Sequence, residues 1–138
     1  MNIKESHQFQ LYLLTLKIFI LKEQILPENC DNWCINATII NRAYYSSYLY
    51  CELWLEKVKK FKPKPPWKFK KSKKRIGEHK QVRDALYNFG EEEVEQELRN
   101  LAYLRKKADY NPYSNITAEE LEDAIGHMKK IFSQLEFQ

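Results

Sequence analysis

An arginine, a histidine and a run of lysines interleaved with aromatics are the residues of this chain whose types and spacing suit chemistry. Val94, Leu98, Leu101, Arg105 and Ala108 follow one another at steps of 4, 3, 4 and 3, the repeat of one helix face. That places the Arg105 guanidinium on the core-facing stripe of a helix. Arginine stays protonated, so burial there demands a partner. One candidate is Asp109, a turn further along the same face and aided by a tyrosine hydroxyl. The other is an anionic ligand such as phosphate, held in a cleft or subunit interface. His79 stands in Gly77-Glu78-His79-Lys80, at the expected start of a helix. Free N–H groups there attract phosphate, and an imidazole exchanges protons near neutral pH. The bland alternative is a surface or capping histidine. His7 falls in a fraying start and His127 on the polar side of the last helix.

Charge is distributed unevenly. The net charge is +4, yet Lys57 to Arg75 holds eleven of the 23 basic residues and no acid. The remaining chain carries twelve basic against nineteen acidic residues, a balance of −7. A positive segment on a negative body implies a polyanionic partner, either nucleic acid or an anionic membrane surface. Within it, FKPKPPWKFKKSKKR forbids regular structure, because Pro63, Pro65 and Pro66 exclude helix and eight like charges from Lys62 to Arg75 repel. Residues 61–76 therefore read as a basic, extended, mobile loop. Lys68, Lys70, Lys71, Lys73, Lys74, Arg75 and the nearby Lys80 suit phosphate contacts, and Trp67 suits stacking on an unpaired base. Trp67 would equally anchor the loop on anionic lipid, and a merely solubilising loop has the same composition.

The elements that must position these groups are helices. With 138 residues the chain has room for one domain, 1–138. Three glycines and five prolines are too few for the turns of an all-β fold. Five helices are expected, near residues 3–26, 33–60, 78–89, 91–108 and from Thr117 to the C-terminal end, forming an all-α, antiparallel up-and-down bundle. The first is apolar around most of its circumference, so it is either central or covered by another subunit. In the second, Ile35, Ile39, Ala43, Ser46, Tyr50 and Leu53 form the core stripe, widened by Tyr45, Tyr48 and Leu49. Gly90 stops the third. Thr117 with Glu120 forms a capping box, and Ile116 with Leu121 a hydrophobic staple, at the start of the fifth. Its stripe is Leu121, Ile125, Met128, Phe132 and Leu135.

Other chemistries find little support. Cys30, Cys34 and Cys51 are expected as buried free thiols of a reducing cytoplasm, since a zinc site needs four ligands. The acids of Glu91–Glu97 read as a solvated helix face. No glycine-rich phosphate loop, HExxH or Ser-His-Asp cue is present, so neither metal nor cofactor is expected. The apolar run Leu11–Leu21 is too short to span a bilayer, which takes about 20 residues.

NRAYYSSYLYCELWL in the second helix, GEHKQV at Gly77–Val82 and LRKKADYNPYSNITAEELEDA from Leu104 resemble, in that order, the HEPN domain, over about residues 35–135. The likeness is to its small stand-alone bacterial and archaeal group with an R-x-x-A-D-Y element. The resemblance implies a helical bundle, a homodimer and an RNA partner. Many HEPN proteins are metal-independent ribonucleases, acting as toxins or in phage defence, often beside a nucleotidyltransferase-type antitoxin. Arg105 takes the place of the motif arginine. The motif histidine is absent, because residues 109–112 read Asp-Tyr-Asn-Pro. Asp109 and Tyr110 are poor proton shuttles at neutral pH, so the expected site is Arg105 with Asp109 and Tyr110 beside it, and either His79, from another helix, or Tyr110 moving the proton. Two functions are then expected: a ribonuclease acting through 2′-hydroxyl attack, or a non-catalytic module binding RNA, nucleotide or a partner protein.

Overall fold

A computed structural model describes residues 6–65, 77–110 and 116–135. The five helices are α1 (His7–Ile25), α2 (Asn32–Lys59), α3 (Glu78–Asn88), α4 (Glu92–Tyr110) and α5 (Ala118–Gln134), with no strand among the described residues. They form an antiparallel bundle. Helix α2 packs against α1, α3, α4 and α5, and α4 packs also against α3 and α5.

Several helix ends follow from local chemistry. The Thr117 hydroxyl accepts from Glu120 N at 3.0 Å while Glu120 Oε1 accepts from Thr117 N at 3.2 Å, the reciprocal pairing that the sequence predicts. Ile116 and Leu121 are both buried beside it. Gly90 adopts φ +88°, and the turn there satisfies two orphan carbonyls of α3. Gly90 N donates to Tyr87 O at 3.1 Å and Glu91 N to Leu86 O at 2.8 Å, a Schellman motif that favours a residue without Cβ.

The centre of the bundle is α2, not α1. In α1 only Thr15 is buried, and Leu13, Leu14, Ile20 and Ile25 are exposed. The helix leans on α2, and its Tyr12 ring stacks on Phe132 of α5 at 4.3 Å. Helix α2 instead buries a much wider arc than its expected stripe. Ile40, Tyr44, Ser47, Cys51, Trp54 and Leu55 are buried with Ile39, Ala43, Ser46, Tyr48 and Tyr50, while Ile35 and Leu53 are only half-buried. Four neighbouring helices cover more than one face, which spacing alone does not reveal. Three polar members of that arc find internal acceptors. Ser46 and Ser47 donate to Ala43 O at 3.2 and 2.7 Å, and the Tyr50 hydroxyl donates to Leu135 O at 2.5 Å.

The acids at the start of α4 are not all solvated. Glu95 is 8% exposed and pairs with Arg99 at 2.6 Å. Glu97 meets His127 and Lys130 of α5, so His127 is an inter-helix partner and not a bystander. The pairing of Glu97 with His127 and Lys130 follows from α5 lying against α4. Cys51 is buried, whereas Cys30 and Cys34 are half-buried, and all three are free. Among the described residues no helix is long and apolar enough to cross a membrane, and no cluster suits a metal.

Replacing Thr117 by Ala removes one half of the capping box. It should lower stability by about 1 kcal/mol, read as a lower urea midpoint with an unchanged slope.

Candidate functional site: a cationic, aromatic cleft

Helices α2, α3 and α4 enclose a cleft of about 550 Å³, lined by Tyr44, Tyr45, His79, Arg83, Arg99, Ala102, Tyr103, Arg105 and Lys106. Helical spacing explains the convergence. His79 and Arg83 are one turn apart on α3, and Arg99, Ala102, Tyr103 and Lys106 repeat at i, i+3, i+4 and i+7 on α4. Among the described residues no carboxylate lines the cleft.

Arg105 does not sit in the core. Leu104 takes the core position beside Leu101 and Ala108, and the Arg105 side chain stays 25% exposed at the edge of the stripe. Its Nε donates to Asp109 Oδ2 at 3.1 Å, and Asn41 Nδ2 donates to the other carboxylate oxygen at 3.3 Å. The guanidinium carbon also lies 5.0 Å from the Tyr45 ring centre and 5.4 Å from that of Tyr44, within cation–π range. Arg105 thus has both the internal counterion and the groove that its position suggested as alternatives. Arg99 is held similarly, by both oxygens of Glu95. Arg83 and Lys106 have no carboxylate partner among the described residues.

His79 is fixed among tyrosines. Its Nδ1 shares a hydrogen bond with the Tyr44 hydroxyl, the Tyr48 ring stacks on it at 4.0 Å and 15°, and Tyr45 presents an edge at 6.3 Å. Burial lowers its pKa from the usual histidine value, Arg105 and Arg83 lower it further, and Glu78 opposes them weakly. The imidazole is therefore uncharged at neutral pH. Burial likewise raises the Tyr44 phenol, against the pull of Arg83 and Arg105. The Tyr48 hydroxyl is buried without a close hydrogen-bond partner among the described residues, and burial, with the Glu52 carboxylate nearby, pushes its pKa up as well.

The structure brings together Arg105 and His79 but not the other expected site residues. Asp109 pairs with Arg105 without lining the cleft, and Tyr110 is 78% exposed and does not line it either. Lys80 is exposed and bound to Asp84 at 2.8 Å. Trp67, Lys68, Lys70, Lys71, Lys73, Lys74 and Arg75 lie outside the described residues. The segment leading to them is tied to α3, since Lys64 N donates to Gln81 Oε1 at 2.8 Å and Gln81 Nε2 to Lys64 O at 2.7 Å. Sequence reasoning missed Arg83, Arg99, Tyr103 and Lys106. Their one-turn spacing from one another and from His79 was the available signal.

The class that fold and site define is an all-helical bundle with a cleft lined by cationic and aromatic side chains. No protein-family model, curated protein or solved structure matches this chain.

A histidine whose folded pKa is depressed binds its proton more readily when unfolded. It contributes stability fully above the unfolded value of about 6.5 and loses it as pH falls. The urea midpoint should therefore drop between pH 7.5 and 5.5. His79→Gln should flatten that drop, checked by the same titration on both proteins.

Proposed function

We propose that this chain is an RNA-directed protein of the HEPN type and that its cleft holds the phosphodiester backbone of a single strand. The observation that carries the reading is the convergence of Arg83, Arg99, Arg105 and Lys106 around His79 in a cleft without a lining carboxylate. Cations supply the phosphate contacts, and counterion release makes such binding fall with salt. Tyr103, 68% exposed at the cleft, offers a ring on which a base stacks without sequence preference. The lysines of 61–76 extend the track in this reading.

A second reading, cleavage, draws on Arg105 and His79 sharing the cleft. The ribose 2′-oxygen would attack the adjacent phosphorus and the bond to the 5′-oxygen would break. A cyclic 2′,3′-phosphate and a 5′-hydroxyl would remain. Arg105 would stabilise the charge growing on the phosphate oxygens, and His79 would move the proton. Deoxyribose, lacking the attacking group, would survive.

The exposed apolar side chains of α1 support a homodimer. Leu13, Leu14, Ile20 and Ile25 lie uncovered on one helix, more apolar surface than scattered exposure explains. A second copy of this chain is the occupant proposed.

Three outcomes are expected. Single-stranded RNA should bind with an affinity that falls as salt rises. Arg83→Ala or Lys106→Ala should each weaken it about 3- to 10-fold and shrink the log–log salt slope by about 0.7 per lost contact; no salt dependence would end the reading. On a denaturing gel, intact RNA means a binding module, whereas fragments with cyclic phosphate ends that vanish in Arg105→Ala mean a ribonuclease. By light scattering the protein should have twice its chain mass at micromolar concentration, and Ile20→Glu should halve it.

A further inference from the structure

Resting on the reading of the cleft as a phosphodiester site, we infer that Tyr44 positions His79 as a fixed, uncharged hydrogen-bond donor, through Nε2–H, for a phosphate oxygen. The hydroxyl proton of Tyr44 decides the tautomer. Tyr44 is 1% exposed, and its hydroxyl meets His79 Nδ1. If Nδ1 carried the proton and donated to Tyr44, the buried phenolic proton would have no acceptor among the described residues. Buried donors are rarely left so, the Tyr48 hydroxyl being the exception among the described residues. The phenol therefore donates, Nδ1 accepts, and the ring proton belongs on Nε2. Nε2 makes no hydrogen bond within the described residues.

The surroundings hold this state. From α2 the ring is faced by Tyr44, Tyr45 and Tyr48, from α3 by Glu78 and Arg83, and from α4 by Arg105. Two guanidiniums against one carboxylate oppose a second ring proton. The parallel Tyr48 ring limits tilting. The division of labour follows: Arg83, Arg105 and Lys106 supply charge, and His79 supplies a directed neutral donor. A ring in this state presents no lone pair to a 2′-hydroxyl, so it does not act as the base of the cleavage reading.

Nitrogen-detected NMR of the full chain at pH 7.5 tests the tautomer without any ligand. For His79 the expected spectrum has a bare, pyridine-like Nδ1 and a protonated Nε2, and in Tyr44→Phe the two nitrogens should move toward an averaged position. A protonated Nδ1, or a doubly protonated ring, would overturn the inference. Titration with a single-stranded RNA oligonucleotide tests the role. His79→Gln presents an amide N–H near the place of Nε2, so it should keep affinity within about 3-fold. His79→Ala should lose about 10-fold, the worth of one hydrogen bond to a charged acceptor. Tyr44→Phe should fall between them, with a far-UV spectrum like that of the parent. Equal losses in the Gln and Ala variants would overturn the donor role while leaving RNA binding intact. Wild-type protein that binds no RNA would overturn the reading of the cleft itself, and the donor role with it, whatever the tautomer.

Discussion

Tyr44 must bury its ring in the core and satisfy its hydroxyl in the same place, and much of the molecule is arranged around that double demand. A buried hydroxyl without a partner costs about 1–3 kcal/mol. Four other helices pack on α2, and one of their residues can serve as that partner. His79 does, and in doing so it brings the first turn of α3 against α2. Helix α3 starts at Gly77 without a side-chain cap. Its first turn is held instead by the stack of His79 on Tyr48 and by Gln81 clasping the backbone of Lys64. The contact that completes the core thus also builds one wall of the cleft.

The opposite wall, on α4, faces the problem of gathering arginines without scattering them. Arg99 pairs with Glu95 and Arg105 with Asp109, each across one helical turn. The acid precedes the base in the first pair and follows it in the second; the first order agrees better with the helix dipole. Pairs that reach solvent, as these do through their arginines, contribute little to stability. Their effect here is geometric: a guanidinium tethered by a carboxylate and laid over Tyr45 keeps its place when nothing is bound. Arg83 and Lys106 lack such a tether, and they carry the charge that Asp109 and Glu95 do not neutralise. Like charges crowded beside low-dielectric walls reinforce one another's field on an approaching anion.

How far these features could be read from the sequence depended on range. Interactions within one or two turns were legible: the capping box at Thr117, the glycine stop at Gly90, and the pairing of Arg105 with Asp109. What spacing does not encode is the number of neighbours a helix will have. The all-round apolar pattern of α1 left open a central place or a subunit contact, and α2, with its serines and tyrosines, holds the centre, where its short hydroxyl side chains bond to their own backbone. The same blindness set Arg105 in the core, although Leu104, one residue earlier, takes the inward position. It also set His127 and Glu97 in solvent, although α5 against α4 joins them. His79 and Arg105 lie on different helices, and only the tertiary fold brings them into one cleft.

The choice between holding and cutting a strand turns on proton acceptors. Cleavage by 2′-hydroxyl attack needs a group that takes one proton and a group that gives another. Around this cleft the carboxylates of Asp109 and Glu95 are committed to arginines, and Tyr110 lies away from it. Burial moves Tyr44 the wrong way for a base. Of the groups that line the cleft the imidazole is the remaining acceptor, and the Tyr44 hydroxyl occupies the lone pair that would do the work. A lining rich in N–H donors and poor in free lone pairs suits an anion that is bound and released unchanged, so the same hydrogen bond that settles the core also weighs against a proton relay.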